Sequence, residues 1–131
     1  MSRFEYFGVC TRVIDGDTIE VVLDLGFRIM NTIRVRLADV YAPEIFSGPT
    51  EEREKGARAK AFLSNLLLEK MVMVKTAKDT TSFNRYVATV WVANEVPGKL
   101  NEESPAININ ELMTEYLVQN NLANAPKEKE N

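Results

Sequence analysis

A chain of 131 residues, 45% of them hydrophobic, can fold around one substantial core but not two. It contains no histidine and a single cysteine, Cys10, which excludes an internal disulfide, zinc held by Cys and His, and catalysis by Ser–His or Cys–His pairs. The net charge of −3, from 16 basic and 19 acidic residues, argues against a broad basic face that coats nucleic acid, yet it permits a local grip on one or two phosphates.

Any chemistry must therefore come from carboxylates, arginines, lysines, tyrosines, or a hard cation held by oxygen. Apolar runs are only a few residues long, too short to span a membrane. The opening MSRFEYFG lacks the apolar stretch of a signal peptide, so a cytoplasmic protein with no membrane contact is expected.

In chain order, FEYFGVCTRVID (Phe4–Asp15) reads as a first strand, broken by the Asp15-Gly16 turn. In DTIEVVLDL, Ile19, Val21 and Leu23 alternate with polar or outward positions, giving a second strand. Gly26 marks the next turn, and RIMNTIRVRLAD forms a third strand with Ile33, Val35 and Leu37 on one face. After the loop from Pro43 to Pro49, Thr50 suits an N-cap with Glu51 and Glu52 behind it. Ala59, Phe62, Leu63, Leu66 and Leu67 recur at helical spacing, so this helix ends near Glu69, although Gly56 could delay its start. MVMVKTAKD and RYVATVWVANE read as the fourth and fifth strands, and residues 96–106 as a long polar loop without periodicity. Asn108 and Glu111 have capping-box spacing ahead of a second helix whose apolar face is Ile109, Leu112, Met113, Tyr116 and Leu117. Five strands with one helix between the third and fourth suggest a small closed barrel. The expected organisation is one domain over residues 1–125 and a disordered polar tail at 126–131. Cys10 is expected to pack as a small hydrophobe.

Several motifs could carry chemistry. Asp15-Gly16-Asp17-Thr18 has the form of an ordinary hairpin turn, where glycine and aspartate tolerate positive φ. It also puts two carboxylates around one turn, a modest oxygen set for calcium or magnesium. Arg36 could keep a sheet edge soluble, or offer a planar fork to a phosphate. Glu44 follows Pro43, and Arg85 stands at the mouth of the fifth strand.

In order and spacing these pieces resemble the staphylococcal nuclease-like (thermonuclease) family. The matching residues are V-I-D-G-D-T at Val13–Thr18, R-L at Arg36-Leu37, A-P-E at Ala42–Glu44, N-R-Y at Asn84–Tyr86 and G-A-R-A-K-A-F-L at Gly56–Leu63. The resemblance covers roughly Gly8 to Asn121. It implies a mainly β fold, a five-stranded OB-fold barrel with two helices. It also implies a hydrolase, an endonuclease-type enzyme that cuts phosphodiesters with calcium. Asp17 would ligate the metal, with Asp15 beside it and the Ala42 backbone carbonyl as a further donor. Arg36 and Arg85 would hold the scissile phosphate and offset charge in the transition state, and Glu44 would orient or deprotonate the attacking water. The partner would be DNA or RNA, single-stranded, met by a monomer.

The match breaks at Tyr41, where the family typically has a metal-binding aspartate. A phenol with a pKa of about 10 is a poor ligand for a hard dication near neutrality. Asp39 could replace it only if a bulge or altered loop path closed the roughly 6–7 Å between the two positions. Before Arg85 the run Thr81-Ser82-Phe83-Asn84 also departs from the family pattern, and no third helix is evident. Two expectations follow: a nuclease with a weakened metal site, or an OB-fold module that binds nucleic acid or protein without cutting. In either, Tyr41 beside the arginines could stack on a base.

Overall fold

A computed structural model describes residues 4–43, 50–82, 85–93 and 106–122, apart from the side chains of 77–82, 85 and 93. Its strands are β1 (Glu5–Asp15), β2 (Thr18–Asp24), β3 (Met30–Leu37), β4 (Met71–Ser82), β5 (Arg85–Ala93) and β6 (Ala106–Asn108); its helices are α1 (Thr50–Leu67) and α2 (Ile109–Gln119). The sheet order is β3-β2-β1-β4-β5-β6, and a parallel β3–β5 pairing closes the first five strands into a barrel. This is the expected five-stranded OB-fold barrel with two helices.

Closure works because one long strand serves two partners. The first half of β1, Glu5 to Val9, pairs with β4, while Phe7 to Asp15 pairs with β2. Register shifts between Cys10 and Arg12 and between Val13 and Asp15 bend the strand between these partners. The period-two pattern then fills the interior: Ile19, Val21, Val35, Leu37, Val72, Val74 and Val90 are all fully buried. Cys10 joins them at 0% exposure, and burial pushes its thiol up to about 11. It packs as an apolar residue, as expected.

α1 presents Gly56, Ala59, Leu63 and Leu67, spaced by three and four, to the barrel. Each of the two buried leucines contributes about 1.5–3 kcal/mol of burial free energy. Gly56 does not delay the helix, which runs unbroken from Thr50, because that position lies on the buried stripe and needs no side chain. Thr50 itself is helical, and its hydroxyl accepts a bond from Arg53. The Phe62 and Tyr116 rings stack at 3.7 Å between centroids and 10° between planes, joining α1 to α2. Asn108 caps α2 as expected, its side-chain oxygen accepting the Glu111 N–H at 3.1 Å. No helix among the described residues is long and apolar enough to cross a membrane.

Three local expectations are corrected. β6 begins at Ala106, at the end of the stretch read as loop; its three residues are too few for a periodic signal and are fixed by pairing with β5. The β2–β3 turn begins at Gly26, as expected, with Phe27 and Arg28 at its centre. Ile29 N–H bonds to the Gly26 carbonyl at 2.9 Å, and Phe27 and Arg28 have φ of 53° and 62°. β3 ends at Leu37 instead of Asp39, because Asp39 turns into the left-handed region at φ 60°. β4 runs three residues past Asp79 to Ser82, beyond the alternating segment, because Thr81 and Ser82 pair with Tyr86 and Arg85. The tail at 126–131 lies outside the described residues.

Candidate phosphodiester site

The Asp15–Thr18 turn sits wedged against the rest of the fold. A Cβ on Gly16 would come within 2.7 Å of the Cβ atoms of both Ala42 and Ala59, far inside van der Waals contact. Gly16 does not take a positive φ, unlike Gly26 at 82°. Its glycine is required by this close approach to α1 and to the chain after β3, which the hairpin statistics do not anticipate. Lack of a side chain there brings the two aspartates up to the segment that carries Tyr41 and Ala42.

Asp17 is the best-anchored member of the site. Its backbone carbonyl accepts the Leu37 N–H at 2.8 Å. One carboxylate oxygen accepts the Thr18 hydroxyl at 3.0 Å, and the other accepts the Ala42 N–H at 3.2 Å. Asp15 accepts the Asp17 N–H at 3.1 Å. Burial raises the Asp17 carboxyl to about 7, and the adjacent Asp15 carboxylate adds to the rise through hydrogen bonding and repulsion. The two acids thus form a partly buried like-charge pair that a cation would relieve.

Arg36 lies opposite Thr18 across the β2–β3 pair and beside Val87 across the parallel β3–β5 pair. Its guanidinium donates to the Val40 carbonyl at 3.5 Å and sits 5.2 Å from the centre of the Tyr41 ring. Arg85 opens β5 two residues before Val87. The period of two therefore puts positions 85 and 36 on the same sheet face, one step apart along neighbouring strands. The Arg85 side chain lies outside the described portion, as does all of Glu44.

The structure brings Asp15, Asp17, Ala42, Tyr41 and Arg36 to one end of the barrel. It does not bring Asp39 to them. Asp39 is exposed and lines a hollow against α2 together with Asn110, Glu111 and Glu115. Among the described residues no three Asp, Glu or Cys side chains are grouped closely enough to hold a metal. Asp15 and Asp17 nevertheless fit calcium or magnesium in kind, being two neighbouring carboxylates.

Sequence reasoning missed Asn110, which holds the site's supporting loop. It is 8% exposed. Its oxygen accepts the Val90 N–H at 3.0 Å, and its nitrogen donates to the Ala38 and Ala88 carbonyls, both at 3.0 Å. This joins α2 to β5 and to the exit of β3, from which Tyr41 and Ala42 follow. Its signal was an amide at three- and four-residue spacing with Met113 and Leu117, on the apolar face of α2.

Comparison with known proteins agrees with this architecture. The chain is 36% identical over 95 residues to "Protein ParB" of Escherichia coli, covering 72% of this chain and 47% of that protein. It is 34% identical over 111 residues to "Micrococcal nuclease" of Shigella flexneri, covering 85% of this chain and 55% of that one. The chain thus spans about half the length of the curated relatives it matches. The family model described as staphylococcal nuclease homologue matches residues 34–131, which runs from the second half of β3 through α2 and takes in positions 36 and 85. With that match across most of its length, on a closed barrel of this topology, the chain belongs to the staphylococcal nuclease homologue family.

Proposed function

We propose that this chain hydrolyses phosphodiester bonds of nucleic acid, with calcium as the cofactor and single-stranded DNA or RNA as the substrate. The observation that carries the reading is the β3–β5 register, which puts position 85 on the same sheet face as Arg36, two residues before its partner Val87, with Arg36 paired to Thr18 beside the Asp15–Asp17 turn. Arginines at two positions of one sheet face suit the equatorial oxygens of one phosphate, whose charge grows in the transition state. In the reaction, the oxygen of a water bonds to phosphorus as the bond from phosphorus to the leaving sugar oxygen breaks. Glu44 takes the water's proton, and the leaving oxygen is protonated from solvent. Asp17 would hold the calcium, with Asp15 behind it and the Ala42 carbonyl as a further donor. When bound, that ion supplies a Lewis acid that polarises the phosphoryl oxygen and orients the water.

One observation favours a second reading, a module that binds nucleic acid or a protein without cutting. Tyr41 stands where the family resemblance implies a ligating aspartate, and its ring lies against Arg36. The deciding experiment is calcium-dependent cleavage of single-stranded DNA, with Glu44→Gln and Arg85→Ala alongside. Under the enzyme reading both substitutions lower turnover by at least about a hundredfold. Cleavage equal in all three proteins, or in none, would discard it in favour of the binding module.

A further inference from the structure

Over its first half β3 is paired on one side only. β2 lies along it from Met30 to Arg36, whereas β5 takes up the other side from Val35 onward. The Leu37 N–H bonds to Asp17 at the start of β2, and the Ala38 N–H to Ala88 of β5. Odd positions of β3 therefore bond towards β2, and even positions bond away from it. Met30 and Thr32 thus aim their N–H and C=O groups past the sheet, where no strand among the described residues pairs with them. The edge lacks the usual protections, having no proline, no lysine and no register shift between Met30 and Ile33.

The same hairpin concentrates exposed apolar surface. Leu25, Phe27, Ile29 and Met30 are four of the eight large apolar side chains exposed among the described residues, so half of that surface adjoins this one edge. Phe27 is 98% exposed and, with Arg28, holds a left-handed backbone that is unfavourable for bulky residues. Neither burial nor turn preference accounts for a phenylalanine held in that way. Contact with another molecule would.

We propose that the occupant is a second copy of the chain, paired antiparallel through β3 about a two-fold axis at Asn31. In that register Met30 of each copy exchanges hydrogen bonds with the partner's Thr32, which satisfies all four outward groups and closes the contact isologously. On the inward face Asn31 meets the partner's Asn31, amide to amide, and the exposed Ile29 meets the partner's half-buried Ile33. Phe27 comes level with the partner's Val35 and its neighbour Tyr86, on the rim of a cavity of about 330 Å³ that Ile33 and Tyr6 also line. Arg28 comes level with the partner's Arg34, whose charge Glu20 offsets from across the β2–β3 pair. An axis at Thr32 would instead set Met30 against Arg34, where the start of β5 already lies. The Asp15–Asp17 turn is at the opposite end of β2 and stays open, so the dimer holds whether or not the chain is a nuclease. It replaces the monomer expected from the family resemblance.

The test is sedimentation equilibrium of the full chain beside Thr32→Pro and Ile29→Lys. Thr32→Pro removes an N–H that β2 does not use, so the barrel keeps its ladder. Wild type should dimerise reversibly, and each substitution should weaken the association at least about tenfold. Asn31→Cys gives an independent reading. A non-hydrogen-bonded antiparallel pair holds its Cα atoms about 4.5 Å apart, within disulfide reach, and Cys10 is buried. Oxidation with diamide should therefore crosslink Asn31→Cys at least about tenfold faster than Thr32→Cys, whose thiols lie diagonally across the pair. Thr32→Cys crosslinking as fast as Asn31→Cys overturns the proposal, as does a dimer that both Thr32→Pro and Ile29→Lys leave unchanged. A wild type that stays monomeric up to about 1 mM also overturns it, and leaves the edge to a strand of another protein.

Discussion

Replacing Asp17 by asparagine should make the metal-free protein more stable at neutral and higher pH. The folded state holds the Asp17 carboxyl at about 7, against an ordinary value of 3.8. Because the folded chain keeps a proton that the unfolded chain has lost, stability falls as pH rises from about 4 to about 7 and stays lost above that. At 1.36 kcal/mol per pKa unit the upper bound is about 4 kcal/mol, and sharing of the effect with Asp15 leaves about 2 kcal/mol. Asparagine removes this penalty while its oxygen can still accept the Ala42 N–H, and its amide nitrogen can donate to Asp15. Urea unfolding followed by far-ultraviolet circular dichroism in chelator should therefore show Asp17→Asn ahead by about 2 kcal/mol at about pH 8, with the gap closing near pH 4. Calcium should reverse the order by stabilising only the wild type. A variant no more stable than wild type at the higher pH in chelator would refute the frustrated-pair argument.

Three further outcomes follow from particular contacts. Asn110→Leu leaves the buried Val90 N–H and the Ala38 and Ala88 carbonyls without that partner, and should cost about 2–4 kcal/mol by denaturant unfolding. Gly16→Ala forces a methyl against Ala42 and Ala59, so a loss of about 1–3 kcal/mol is expected, with weaker calcium stabilisation because the aspartate turn must shift. Phe27 is 98% exposed and, with Arg28, holds a left-handed conformation. Phe27→Asn combined with Arg28→Gly should thus raise the melting temperature, by the equivalent of about 1–2 kcal/mol.

Much of the barrel was legible in the one-dimensional pattern. Alternation at Ile19, Val21 and Leu23 and at Val35 and Leu37, and helical spacing through Ala59, Leu63 and Leu67, mark buried faces because side-chain direction follows local backbone geometry. The absence of histidine likewise limited the chemistry to oxygen and guanidinium groups. Long-range contact decided the rest. That Asp39 leaves the site depends on a left-handed turn anchored through Ala38 by Asn110, some seventy residues later in the chain. That Gly16 is needed for space instead of for φ depends on Ala59 arriving from α1. Whether positions 36 and 85 share a face was set by the β3–β5 pairing, since strand periodicity says which way a side chain points but never which strand lies beside it.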